Sequence, residues 1–172
     1  STGWLCNMSN EVYIALEYFF VYSFLGWCVE VVFQAVTKGL VINRGFLNGP
    51  VCPIYGFGAW GLYALLHRVK NTALYFALST LIASVFEWGC SYLLEALFHR
   101  SYWTYKDWPF SLDDRISLIS SLIFGLLAVL FAKGVLPLLR RLIAKGKPAV
   151  WCGAALAAAA VVLGDFILVL CK

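Results

Sequence analysis

The chain alternates between long apolar blocks and short polar turns. Five blocks stand out, at residues 13–36, 50–66, 73–98, 116–132 and 149–170. A helix that crosses the hydrocarbon core of a bilayer needs about 20 predominantly apolar residues at ~1.5 Å rise each, and the first block is long enough. The second, opened by Pro50 and Pro53, is short and glycine-rich (Gly56, Gly58, Gly61), so its small residues allow close helix approach. Lys133 to Lys147, with Arg140, Arg141 and Lys145, reads as an interfacial amphipathic segment. The pattern predicts an all-α fold. It is a polytopic membrane helix bundle of about five transmembrane helices, a single transmembrane domain over residues 1–172, with Gly/Pro-rich and aromatic polar loops converging on one face.

Composition agrees. Of 172 residues, 62% are hydrophobic and 13% charged, with a mean hydropathy of +0.83. Soluble domains carry about 25% charged residues, so a water-exposed surface cannot be built from so few. The net charge of +4 comes from basic residues at block ends, and no basic stripe with interleaved aromatics is present, which speaks against nucleic-acid binding. Seven Trp and nine Tyr fit interfacial belts. The six cysteines (Cys6, Cys28, Cys52, Cys90, Cys152 and Cys171) form no CxxC pair and read as small buried hydrophobes. His67 and His99 do not sit near paired cysteines, so neither a metal site nor a disulfide framework is expected, and no cofactor is implied. No cleavable signal peptide is visible, and the start at Ser1 without Met suggests a processed or trimmed chain.

With five spans, the turn near Arg68 and the segment near Arg140 share one face. That face holds Arg68, Lys70, Lys133, Arg140, Arg141, Lys145 and Lys147; the other holds Lys38, Arg44, Arg100, Lys106, Arg115 and Lys172, together with Asp107, Asp113 and Asp114. Arg140 and Arg141 flank a span closely, which places the first face and the N-terminus in the cytoplasm, and the C-terminus outside. The loops carrying Arg44 and Arg115 then face outward together. Gly26–Phe33 lays over Ser91–Phe98, with Glu30 on Glu95 and Phe33 on Phe98, which reads either as the chance alignment of two apolar helix ends or as an internal repeat. Blocks one and two would then repeat as blocks three and four in parallel sense.

Five acidic residues fall within or beside spans: Glu17, Glu30, Glu87, Glu95 and Asp165. An ionised carboxylate at the bilayer centre costs on the order of 3 kcal/mol or more, so such groups usually face the bundle interior with a partner or water. Glu87 lies near the middle of its block, about 12 Å deeper than Glu95 at helical rise. The pattern leads us to expect Arg44, Glu30, Glu87, Glu95 and Arg115 to converge in one outward-facing polar cavity, rimmed by Asn43, Asn48, Trp103, Tyr105 and Asp114. Guanidinium–carboxylate pairs would satisfy the charges at depth. The plainer reading has Glu30 and Glu95 ending helices and snorkelling to the interface, with Arg44 and Arg115 as ordinary helix-entry charges. Glu17 is expected at the interface, and no partner can be named for Asp165.

The stretch Asn43-Arg44-Gly45-Phe46-Leu47-Asn48-Gly49-Pro50-Val51-Cys52-Pro53-Ile54-Tyr55-Gly56 resembles the ABC-transporter type IV family, also called CmpB-like. The resemblance extends to Phe24–Glu30, Glu87, Glu95, Trp103-Thr104-Tyr105 and Leu112–Leu118, and covers about residues 24–137. Where the family pattern has glycine before the second arginine, this chain has Asp114. The resemblance implies a small bacterial inner-membrane protein of permease type. The sequence contains no GxxxxGK[ST] string, so it holds no P-loop ATPase, and an ABC system would take that subunit from another chain.

Three functions compete on these residues. The first is a permease or transport component, with Glu87 as a proton-, cation- or cationic-solute-binding carboxylate and a homodimer enclosing the pathway. The second is an intramembrane enzyme acting on a lipid or lipid-linked substrate at the outer interface, although no HExxH, GxSxG or nucleophile–base pair is present. The third is a non-catalytic subunit of a larger membrane complex.

Overall fold

The computed structural model describes residues 10–41 and 47–171. The expectations for Asn43 and Arg44 lie outside the described residues. The fold is all-α, with one two-stranded ribbon. In chain order it comprises α1 (Asn10–Lys38), α2 (Pro53–Leu66), α3 (Thr72–Phe98), β1 (Ser111–Leu112), β2 (Ile116–Ser117), α4 (Leu118–Leu130), a π-helical turn (Phe131–Val135), α5 (Leu136–Lys145) and α6 (Pro148–Leu170).

Local chemistry sets the helix ends. Gly39, at φ +64°, follows α1 and returns its N–H to Ala35 O at 3.1 Å, a left-handed helix end that glycine adopts without strain. Pro53 and Pro148 open α2 and α6, where a missing N–H and a preset φ suit the first turn. The Asn71 side chain caps α3 by accepting from Leu74 N at 3.0 Å. Ser117 and Ser120 form a reciprocal capping box at the start of α4.

Four helical stretches are long and apolar enough to cross a membrane: Ile14–Lys38, Thr72–Phe98, Leu118–Lys145 and Pro148–Leu170. The protein is therefore a multi-pass membrane protein. α2 is shorter, and its 14 residues reach about 21 Å against a hydrocarbon core of about 30 Å. The fourth block, expected to end near residue 132 before an interfacial segment, instead runs on as helix to Lys145. The π-helical turn accounts for this. It widens the helix just before Pro137, whose ring and missing N–H are then accommodated in the first turn of α5.

The chain divides into two compact units, residues 1–60 with 136–172, and residues 61–135. In the first, α1 packs with α5 and α6 around Tyr18, Phe19, Tyr22, Leu136, Leu139, Cys152 and Ala155. Glu17, expected at the interface, is buried here at 8% exposure. α6 buries only Cys152 and Ala155 and leaves Val161, Leu163, Ile167 and Leu168 exposed, as a lipid-facing helix does. In the second unit, α3 lies along α4 over a core of Leu66, Tyr75 and Ala128.

Candidate functional site

The second unit holds a polar stripe on an apolar helix. Thr80, Ser84, Glu87, Ser91 and Glu95 recur on α3 at intervals of three and four, which puts them along one face. Ser84 donates to Ser121 Oγ of α4 at 2.7 Å. Glu87 and Ser91 are buried, at 7% and 6% exposure.

The segment 99–117 folds back onto this stripe. The Tyr105 hydroxyl donates to Glu87 Oε1 at 2.7 Å, which gives a carboxyl group in the middle of a span a polar partner. Arg115 is ion-paired through Nη2 with Glu95 and donates from Nη1 to Ser91 Oγ at 2.7 Å. Its guanidinium carbon lies 3.9 Å from the centre of the Tyr92 ring, within cation–π range. The Glu95 hydrogen bond holds the Arg115 proton more firmly than usual, pushing its pKa above the ordinary arginine value. An open cleft lined by Tyr92, Glu95, Ala96, His99 and Arg115 adjoins the pair.

Backbone and aromatic contacts fix the loop that carries Arg115. Trp103 Nε1 donates to Arg115 O at 3.2 Å, and Tyr105 N donates to Asp114 O at 2.7 Å. Trp88 Nε1 and the Tyr92 hydroxyl both donate to Asp113 Oδ2, at 3.2 and 3.3 Å. Between β1 and β2, Asp113 and Asp114 take φ +52° and +56°, and Arg115 N donates to Leu112 O at 3.0 Å. Both aspartates thus occupy the left-handed region, where Asp is tolerated better than most side chains. Asp114→Val should lower stability by about 1–2 kcal/mol, the penalty of a left-handed β-branched residue, while Asp114→Gly should leave it unchanged or slightly raised. Thermal unfolding in detergent reads both, and equal losses in the two variants would refute this account of the turn.

The first unit carries a second polar set. Tyr55 donates to Glu30 Oε1 at 2.8 Å. Asp165, for which the sequence offered no partner, accepts from Asn48 Nδ2 at 2.9 Å and from Gly49 N at 2.8 Å. Of the expected residues, the structure thus joins Glu87 to Tyr105, Glu95 to Arg115, Trp103 and Asp114 to the loop backbone, and Asn48 to Asp165. Glu30 belongs to the first unit and is described there alone. Residues missed by the sequence reading are Ser91, Tyr92, Trp88, Asp113 and Tyr55. Ser91 carried a spacing signal, standing four positions from both Glu87 and Glu95, and Tyr55 and Asp113 lay within the stretches that resemble the family. Among the described residues, no three of His, Cys, Asp and Glu group closely enough to hold a metal ion.

The family model described as "Putative ABC-transporter type IV" matches residues 17–170. The chain belongs to this family. No curated protein and no solved structure matches it. The matched range includes both polar sets, from Glu30 and Tyr55 through Glu87, Glu95, Arg115 and Asp165.

Proposed function

We propose that this member of the ABC-transporter type IV family is a permease or transport component, with the α3 stripe and the 99–117 loop forming its solute- or ion-binding site. The observation that carries the reading is Glu87, a buried carboxylate near the middle of an apolar helix, hydrogen-bonded by a tyrosine that arrives from a polar loop. A carboxylate at that depth needs a reason, and a proton, cation or cationic solute path supplies one. Glu87 is the binding or coupling group, and Tyr105 orients it. Arg115, held between Glu95, Ser91 and Tyr92, sets the charge at the mouth and offers a donor to an anionic group. In this reading a separate subunit supplies the ATPase and two copies of the chain enclose the pathway. The membrane is the bacterial inner membrane, with the N-terminus in the cytoplasm.

The test is gentle purification from native membranes, with mass spectrometry of every co-purifying protein and small molecule, and Arg115→Ala as the matched control. The expected result is a near-stoichiometric ATPase partner, and a bound solute that is depleted at least several-fold in Arg115→Ala. A chain without an ATPase partner that turns over a lipid, and stops doing so as Glu87→Gln while still binding it, would replace the reading with an intramembrane enzyme. A tightly bound membrane partner with no solute in either preparation would leave only a structural subunit.

A further inference from the structure

Each unit contains an antiparallel helix pair, and the two pairs keep the same register. In the first, Trp60 Nε1 donates to Ala15 O at 2.7 Å, Gly56 lies against Phe19, with a Cβ there falling 2.6 Å from the ring, and Cys52 N donates to Ser23 O at 3.0 Å. In the second, Gly125 lies against Thr80, and Ser84 bonds Ser121. Adding 65 to the numbers of the first two contacts gives the second pair: Ala15 and Trp60 become Thr80 and Gly125, and Phe19 and Gly56 become Ser84 and Ser121, while the Cys52–Ser23 bond stays outside the match. At the first crossing the larger and smaller partners have exchanged helices, Trp60 against Ala15 becoming Gly125 against Thr80, and at the second both partners are serines.

The same shift matches features that do not depend on those contacts. Pro53, the first residue of α2, maps to Leu118, the first residue of α4. Leu66, the last of α2, maps to Phe131, where α4 gives way to the π-helical turn. Glu30 maps to Glu95, and each carboxylate is bonded by a side chain from beyond its own helix, Tyr55 in one case and Arg115 in the other. Two unrelated hairpins would share a helix face, a start, a stop and a carboxylate position only by coincidence. An internal duplication gives all four together.

We infer that α1–α2 and α3–α4 are two copies of one helical hairpin, that α2 therefore crosses the membrane as α4 does despite its 14 residues, and that Glu30 and Glu95 are equivalent carboxylates at the same register of the two copies. α4 reaches a full span only by running on through the π-helical turn into α5, whereas α2 stops at Leu66, so its crossing relies on the rule that short or interrupted helices occur where they line a polar path. α2 carries no acidic or basic residue over its length, as a crossing segment should.

The consequence is topological and independent of the transport reading. Segments 39–52 and 99–117 emerge on one side of the membrane, and the turn after α2 and the end of α5 on the other. Single added cysteines report this in sealed vesicles, using a membrane-impermeant maleimide polymer and counting the extra mass shift over the unsubstituted chain. Leu40→Cys and Lys106→Cys should label from the same side, and Arg68→Cys and Lys145→Cys only after the vesicles are opened, or the reverse set in inverted vesicles. Val41→Cys and Asp107→Cys repeat the first comparison if a reporter fails to express. Labelling of Leu40→Cys and Arg68→Cys from one side, with Lys106→Cys protected, means that α2 does not cross and overturns the duplication.

Discussion

Gly26→Leu is expected to abolish accumulation of the folded protein, and Gly26→Ala to lower its stability by about 1–3 kcal/mol, the usual cost of overpacking. α1 presents Gly26 to the Tyr55 side chain. A Cβ added there would meet the Tyr55 ring and lie 2.6 Å from its Cβ, closer than side-chain carbons approach. The ring cannot swing clear without giving up its 2.8 Å hydrogen bond to Glu30. The Cβ moves only with the backbone of α2. In a bilayer, where lipid tails are as apolar as the helices, close packing of this kind supplies much of what holds two helices together. One methyl group forces a partial separation, and leucine adds three more carbons where there is no room for the first. Gly61 is the control: it lies in the partner helix α2 and has nothing within 4 Å, so Gly61→Ala should be neutral or stabilise by up to about 1 kcal/mol through helix propensity. Size-exclusion yield and thermal unfolding in detergent separate the cases, and a Gly26→Ala protein as stable as the parent would contradict the packing.

Much of this architecture was readable along the chain because a bilayer makes hydrophobic length the dominant signal. The ends of α1, α2, α3, α4 and α6 fell close to the predicted block edges, where Pro53, Asn71, Ser117 and Pro148 start helices by well-understood local chemistry. The run from Phe131 to Lys145 was not readable. Gly134 and Pro137 look like a break in sequence, and only the three-dimensional path shows that a wider turn carries the helix past them. The candidate site divides in the same way. The depth of Glu87 and the nearness of Glu95 on one helix follow from helical rise alone. The identity of the groups that hold them does not. Tyr105 and Arg115 reach the α3 stripe through a loop whose path depends on two aspartates in left-handed conformation and on Trp88 and Tyr92 gripping Asp113. No spacing rule encodes contacts of that sort. Tyr105 was expected at a rim, and its hydroxyl instead bonds the buried carboxylate directly.

A contact between positions more than a hundred apart gives the other large expected effect. Asp165 lies in an otherwise apolar helix behind the run Ala157–Ala160, and both of its oxygens are used by the Asn48-Gly49 loop, at 2.9 and 2.8 Å. Hydrogen bonds to a charged acceptor contribute about 1.5–3 kcal/mol each, and a carboxylate in an apolar span loses part of that gain to desolvation. Asp165→Ala removes the desolvation cost but also takes this acceptor from the part-buried Gly49 N–H and from the Asn48 amide. The net loss should be about 1–3 kcal/mol. Asp165→Asn keeps one carbonyl oxygen and removes the charge, so it should lose clearly less. The effect should be local before it is global. Amide exchange at Gly49 should accelerate by at least tenfold in Asp165→Ala, and protease should cut within residues 39–52 while α3 and α4 stay protected. If Gly49 exchanges at the parental rate in Asp165→Ala, the carboxylate does not hold the loop. The Asn48-Gly49 sequence would then owe its conformation to its own turn chemistry. If exchange rises as expected, Asp165 ties the loop nearest Pro50 and Pro53 to α6, and the entry to α2 depends on a residue more than a hundred positions away.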